Sequence, residues 1–119
     1  MARILVIDDE PSIRDLLHTV LTRRGHEVVT ASNGKLGLAR FREDRPRLTI
    51  LDLKLPDIGG LDVLREIRSF DREAPVIILT GAGTDQIEAT AKQFGATDFL
   101  QKGFSLHALG EALKKVFKE

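Results

Sequence analysis

The chain has no cysteine, no tryptophan and no tyrosine, and its formal net charge is zero. Without cysteine there is no disulfide, no thiolate nucleophile and no thiolate-ligated zinc or iron–sulfur centre, a usage that fits a reducing compartment. With six phenylalanines as its only aromatics, the chain offers little for a flavin or a stacked base to lie against. The balance of 18 basic and 18 acidic residues gives no footprint for direct nucleic acid binding, which shows as a basic domain. Long apolar runs are also missing. The first, Ile4 to Ile7, stops at Asp8-Asp9-Glu10. A signal peptide needs an apolar stretch of about 7–15 residues and a membrane helix about 20. The expected location is the cytoplasm, away from membranes.

What is present suits a globular domain. At 119 residues, 42% hydrophobic, the chain is the size of one domain and can bury a core. A single domain over residues 1–119 is expected, with no effector domain after the last helix.

Apolar runs of strand length alternate with segments of helical period. Ile4-Leu5-Val6-Ile7, Val28-Val29-Thr30-Ala31, Leu48-Thr49-Ile50-Leu51-Asp52, Val76-Ile77-Ile78-Leu79-Thr80 and Thr97 to Gln101 read as five strands. The uninterrupted apolar runs among them suit strands buried on both faces. Ile13, Leu16, Leu17, Val20 and Leu21 define a first helix that ends at Gly25. Asn33-Gly34 is a turn signal. The second helix, through Leu36, Leu38, Ala39 and Phe41, carries Gly37 in its interior at a propensity cost of about 1 kcal/mol. Leu61, Leu64 and Ile67 mark a third helix, and a weakly anchored fourth runs from about Thr84 to Phe94. Ser105 caps a fifth that carries Leu106, Leu109, Leu113 and Val116. Strict alternation with short connections predicts an α/β fold: a doubly wound five-stranded parallel sheet between two layers of helices.

In such a sheet, ligands bind beyond the carboxyl ends of the strands, near the point where strand order reverses. Asp8 and Asp9 follow the first strand, Asp52 and Thr80 end the third and fourth, and Lys102 follows the fifth. Three carboxylates drawn together repel and raise one another's pKa. A hard divalent cation relieves that conflict, and Mg²⁺ prefers carboxylate oxygens. An anion can then sit between metal, Lys102 and Thr80, with one carboxylate as its covalent attachment point. That is a phosphoryl site on an aspartate.

Four segments resemble the response-regulator receiver domains of two-component signalling: Val6-Ile7-Asp8-Asp9-Glu10-Pro11, Leu51 to Gly60, Ile78-Leu79-Thr80-Gly81, and Gly95 to Lys102. Each alone is common; in this order, at the ends of these strands, they are specific, and the likeness covers roughly residues 3–118. The resemblance implies a flavodoxin-like sheet of order 2-1-3-4-5. It assigns Asp52 as the phosphoacceptor, with Thr80 and Lys102 binding phosphoryl oxygens. Mg²⁺, or Mn²⁺ in its place, would be held by Asp8, Asp9, Asp52 and the backbone carbonyl of Lys54. Thr80 and Phe99 would form the switch. The phosphoryl donor would be a histidine kinase or a histidine phosphotransfer protein, and the output a downstream protein partner or effector domain. The face of helix 4, strand 5 and helix 5 would serve a homodimer or partner. Phosphoryl uptake and loss would be self-catalysed, with no enzymatic turnover of another substrate.

The chain departs from the family pattern in two places. Lys102 is followed by Gly103, not proline, so a trans peptide is expected, since a cis bond without proline costs about 2.5–4 kcal/mol. Gly81 leaves the phosphoryl position more open than the usual alanine. Lys54 and Ala82 stand where the family tunes autodephosphorylation, and Ala82 cannot orient a water, which predicts slow hydrolysis.

Plainer readings stand beside these. Taken alone, Asp8 and Asp9 cap a helix, Lys102 is solvated, Thr80 ends a strand and Phe99 is a core residue. Arg14, His18, Arg23 and Arg24 form a solvated helix face or part of a kinase-docking surface, and His18, His26 and His107 lie on the surface. The alternative function is a receiver-like interaction module not controlled by phosphorylation. An aspartate-nucleophile phosphatase would carry a second Asp where Lys54 stands, and a flavin protein would need a phosphate-cradling loop after the first strand.

Overall fold

Five strands, β1 (Arg3–Ile7), β2 (Glu27–Ala31), β3 (Leu48–Asp52), β4 (Val76–Thr80) and β5 (Asp98–Gln101), pair in parallel in the order β2-β1-β3-β4-β5. Helices α1 (Pro11–Arg23), α2 (Gly34–Asp44), α3 (Gly60–Phe70), α4 (Asp85–Gln93) and α5 (Leu106–Phe117) alternate with them. The coordinates are a computed structural model that describes residues 2–81 and 85–117. The expected fold, strand order and three layers are all present.

The period of two along each strand divides the core. Ile4, Val6, Leu48, Ile50, Ile77 and Leu79 face Leu17 and Leu21 of α1 and Leu109 and Leu113 of α5. Leu5, Ile7, Leu51 and Ile78 face the layer holding Phe41 of α2, Val63, Leu64 and Ile67 of α3, and Ala91 of α4. Strands covered on both sides must be apolar throughout, which is why β3 and β4 read as continuous hydrophobic runs. Leu16 and Leu106, grouped by spacing with the apolar faces of their helices, instead stay 43% and 57% exposed.

The helix ends follow local chemistry. Gly25 stands at φ +90° just past α1, a left-handed position that suits glycine. Ser105 Oγ accepts the Ala108 N–H at 3.0 Å, the expected cap of α5. Asn33 starts α2 and does not turn away from it: its Oδ1 accepts the Leu36 N–H at 2.8 Å, and Gly34 is already helical. Of the three histidines, His18 and His107 are exposed. His26 is partly buried, stacked on Phe117 at 5.3 Å, and its Nδ1 accepts the Ala2 N–H. The surface reading of His26 is therefore corrected: α5 reaches back to cover it.

Gly37 has a packing role that its propensity conceals. A Cβ there would stand 2.5 Å from Ile7 Cδ1 and 2.8 Å from its Cγ1, and Ile7 is fully buried. Helix α2 thus lies on β1 at a distance only glycine permits. Propensity alone predicts that Gly37→Ala gains about 1 kcal/mol. Overpacking predicts a loss of about 1–3 kcal/mol. We expect the loss, read as a lower urea midpoint; an unchanged or raised midpoint would contradict the close approach.

Candidate phosphoacceptor and metal site

The chain runs from β1 outward to β2, then back across β1 to β3. The order therefore reverses between β1 and β3, and their carboxyl ends open a crevice there. Asp8 leaves β1 and Asp52 ends β3, so both reach the crevice, and both are buried. Asp9 and Glu10 are exposed at its rim. Ligand oxygens of Asp8, Asp9, Glu10 and Asp52 all come within 4.8 Å of one another. The cleft beside them, about 220 Å³, is lined by Glu10, Asp52, Leu53, Lys54, Leu79, Gly81 and Lys102.

Lys102 answers this charge. Its Nζ lies 3.2 Å from Asp52 Oδ2, 3.6 Å from Asp8 Oδ2 and 2.5 Å from Glu10 Oε1. Partial burial by itself would lower the Lys102 pKa. Hydrogen bonds to Glu10 and Asp52, with the fields of Asp52 and Asp8, outweigh it and push the pKa up. The Lys102 N–H donates to the Thr80 carbonyl at 2.7 Å, so the β4–β5 pairing carries on to the residue that must reach the crevice.

Asp8 bears the cost of the arrangement. Burial is the main force raising its pKa, to about 6; the Glu10 N–H bonded to its Oδ1 at 2.9 Å opposes this, and the Asp52 charge adds to it. Its Oδ2 is buried with no hydrogen-bond partner. A buried carboxylate oxygen lacking a donor, amid further carboxylates, is a donor set for a hard cation. The acidic cluster therefore fits a metal ion. The helix-capping reading of Asp8 and Asp9 is not borne out for Asp8: α1 begins after Glu10, with no side-chain cap. Arg14, grouped with a solvated face by sequence, donates to the Asp8 carbonyl at 2.8 Å and holds this turn.

Thr80 is buried at the end of β4 and Phe99 is half-buried on β5, packed against the α2–α3–α4 layer. The Lys54 N–H donates to Asp52 Oδ1 at 3.3 Å. Described peptide bonds include none that is cis, so Lys102-Gly103 is trans as expected, with Gly103 at φ +88°. At Gly81 a Cβ would meet nothing within 4 Å among the described residues. Ala82 lies outside them.

Two residues escaped the sequence reading. Glu10 takes the shortest contact to Lys102; its place in the Asp8-Asp9-Glu10 run was the available signal. Asp57 accepts the Gly34 and Lys35 N–H groups at 2.8 and 2.9 Å. Burial works against its ionised form, but these bonds and others to the backbone hold its pKa down at about 2. No local pattern announces a partner 23 residues away.

The family model for the response regulator receiver domain matches residues 4–114. The chain belongs to this family. Among curated relatives, this receiver is 40% identical over 116 residues to the probable transcriptional regulator ycf27 of Porphyra purpurea, covering 98% of the chain and 47% of that protein. It is 32% identical to the chemotaxis protein CheY of Thermotoga maritima, covering 98% of both. Among solved structures, a receiver domain from Clostridium thermocellum superposes with a TM-score of 0.94 at 37% identity, over 99% of this chain and 95% of that one. The receiver thus spans about half the length of the ycf27-type regulators. Among the described residues, no helix is long and apolar enough to cross a membrane.

The Asp8 shift sets a pH dependence. Its pKa is raised in the folded chain, so the folded state binds the proton more tightly than the unfolded one. Stability in the presence of a chelator is then full below about pH 4 as far as this group is concerned. It falls by about 3 kcal/mol in all as pH rises from about 4 to beyond 6, about 2 kcal/mol of it above pH 4.5. Urea midpoints between pH 4.5 and 8 measure this fall, and Asp8→Asn should remove it. A fall of the same size in Asp8→Asn would assign it to another group.

Proposed function

We propose that this receiver takes a phosphoryl group on Asp52 from a histidine kinase or a histidine phosphotransfer protein. The observation that carries the proposal is the setting of Asp52: buried at the edge of β3, 3.2 Å from Lys102 Nζ and within the acidic cluster. An Asp52 oxygen attacks the phosphorus of a phosphohistidine. The new P–O bond forms as the P–N bond breaks, and the imidazole leaves with the electron pair and takes up a proton. Asp8, Asp9, Asp52 and the Lys54 carbonyl would hold Mg²⁺, which when bound supplies positive charge against the carboxylates and the phosphoryl oxygens.

Lys102 keeps its proton and exchanges Glu10 and Asp52 oxygens for a phosphoryl oxygen. The Thr80 hydroxyl turns toward another. As Thr80 moves inward, Phe99 follows into the space it vacates, and the α4–β5–α5 face changes shape for a downstream partner, an effector domain or a second copy of the chain. The small anchorage of α4, with Ala91 its one buried side chain among those described, keeps the cost of that shift low. The chain turns over no other substrate. Hydrolysis is slow because Ala82 offers no polar group to a water. The cytoplasm, where kinases of this system act, is its setting.

Incubation with acetyl phosphate or phosphoramidate and Mg²⁺ should add the mass of one phosphoryl group. The gain should vanish with a chelator and in Asp52→Asn. No gain in any condition would overturn this reading in favour of a receiver-like module that docks without phosphorylation.

A further inference from the structure

The loop between β3 and α3, residues 53–59, carries Lys54, and two sets of contacts fix its shape. At its base the Gly60 N–H donates to the Leu53 carbonyl at 2.9 Å. A Cβ on Gly60 would collide with the Asp52 carbonyl and stand 2.5 Å from Leu53 Cα, so the base is closed as tightly as the backbone allows. At its tip Asp57 grips the start of α2. Oδ1 accepts the Gly34 N–H at 2.8 Å and Oδ2 the Lys35 N–H at 2.9 Å. Asn33 takes the next amide, Leu36, so the first three N–H groups of α2 are all satisfied, two of them by a residue from another loop. The grip is close: a Cβ on Gly34 would collide with Ile58, the neighbour of Asp57, and come within 2.9 Å of Val63 on α3.

A charged acceptor on two helix-terminal amides is among the stronger hydrogen-bonding arrangements available to an exposed carboxylate. Helix α2 is itself fixed, since Gly37 sits against Ile7 at the end of β1 and Phe41 is buried. The loop is thereby tied to the same strand that leads into Asp8. Between base and tip lies Lys54, three residues before Asp57.

We infer that Asp57 is a positioning residue: by clamping the loop tip to the start of α2, it sets the Lys54 carbonyl at the distance from Asp8 and Asp52 that cation binding requires. The inference rests on the proposed metal site. Asp57 touches neither the ion nor the phosphoryl group; it acts through the backbone of residues 54–57. Asparagine keeps one carboxamide oxygen and so can satisfy only one side of the clamp.

The test uses the full chain and two readouts. Calorimetric titration with Mg²⁺ should show Asp57→Ala weakened roughly tenfold, as for loss of an outer-shell support, with Asp57→Asn in between. Amide exchange in chelator, with no metal bound, should speed up at residues 53–58 in the same order. Asn33→Ala is the control: it removes the neighbouring acceptor from the same helix end, leaves the clamp intact, and should keep Mg²⁺ affinity within twofold of wild type. Equal Mg²⁺ affinity in wild type and Asp57→Ala would overturn the inference. So would an equal loss in Asn33→Ala, which would assign the effect to a loosened α2. If the wild-type chain binds no Mg²⁺, the metal-site reading itself fails and this inference with it. Should Asp57→Ala not fold, Asp57→Asn carries the same comparison.

Discussion

The crowding of Asp8 and Asp52 at the carboxyl edge of the sheet is the constraint on which the other features turn. Both are buried, and they stand where the adjacent paired strands β1 and β3 end, so the sheet itself holds the two carboxylates side by side. Their mutual repulsion and desolvation must be met by positive charge. Lys102 meets it in part, from a strand two places along the sheet, and shares itself with Glu10. A buried charge left without a partner costs several kcal/mol. The site is therefore poised to accept more positive charge, and under the proposed function a phosphoryl group would redistribute the contacts of Lys102.

The fold serves this edge through close backbone approaches. Gly37 lets α2 lie against the end of β1, and Gly60 lets α3 begin directly beneath Asp52. Arg14 bonds the Asp8 carbonyl, and Asp57 ties the β3–α3 loop to α2. The β1, β3 and α2 side is thus tightly held. The β4–α4–β5 side is held less tightly, with a fourth helix that buries little. In the proposed mechanism, charge arriving between the two sides would move the looser one and direct the response toward the α4–β5–α5 face.

Much of this was legible in the sequence. Strands buried on both faces print as apolar runs, so the α/β alternation was readable, and β3 and β4 fall where the runs fall. The strand order and the roles proposed for Asp52, Thr80, Lys102 and Phe99 come from resemblance, because no periodicity states which strands are neighbours. The errors share a cause. Asn33-Gly34 looked like a turn because its local chemistry is the same at a helix start. Gly37 looked like a weakness because propensity does not see Ile7. Leu16 and Leu106 were grouped with apolar faces by spacing alone. Arg14 and His26 looked like surface residues because their partners are distant in sequence or lie on the backbone, and the same distance hid the partners of Asp57.

The most direct test of the account is the thermal unfolding of the chain as a function of Mg²⁺ concentration. If the carboxylate crowding is real and a cation relieves it, Tm should climb with the logarithm of Mg²⁺ once the site begins to fill. At 100 times the dissociation constant the gain is about 2.7 kcal/mol. The climb should be lost when Asp8 and Asp52 are both replaced by Asn, while the metal-free double variant melts higher than the metal-free wild type. A wild-type Tm indifferent to Mg²⁺, or a metal-free double variant that melts lower, would contradict the central claim.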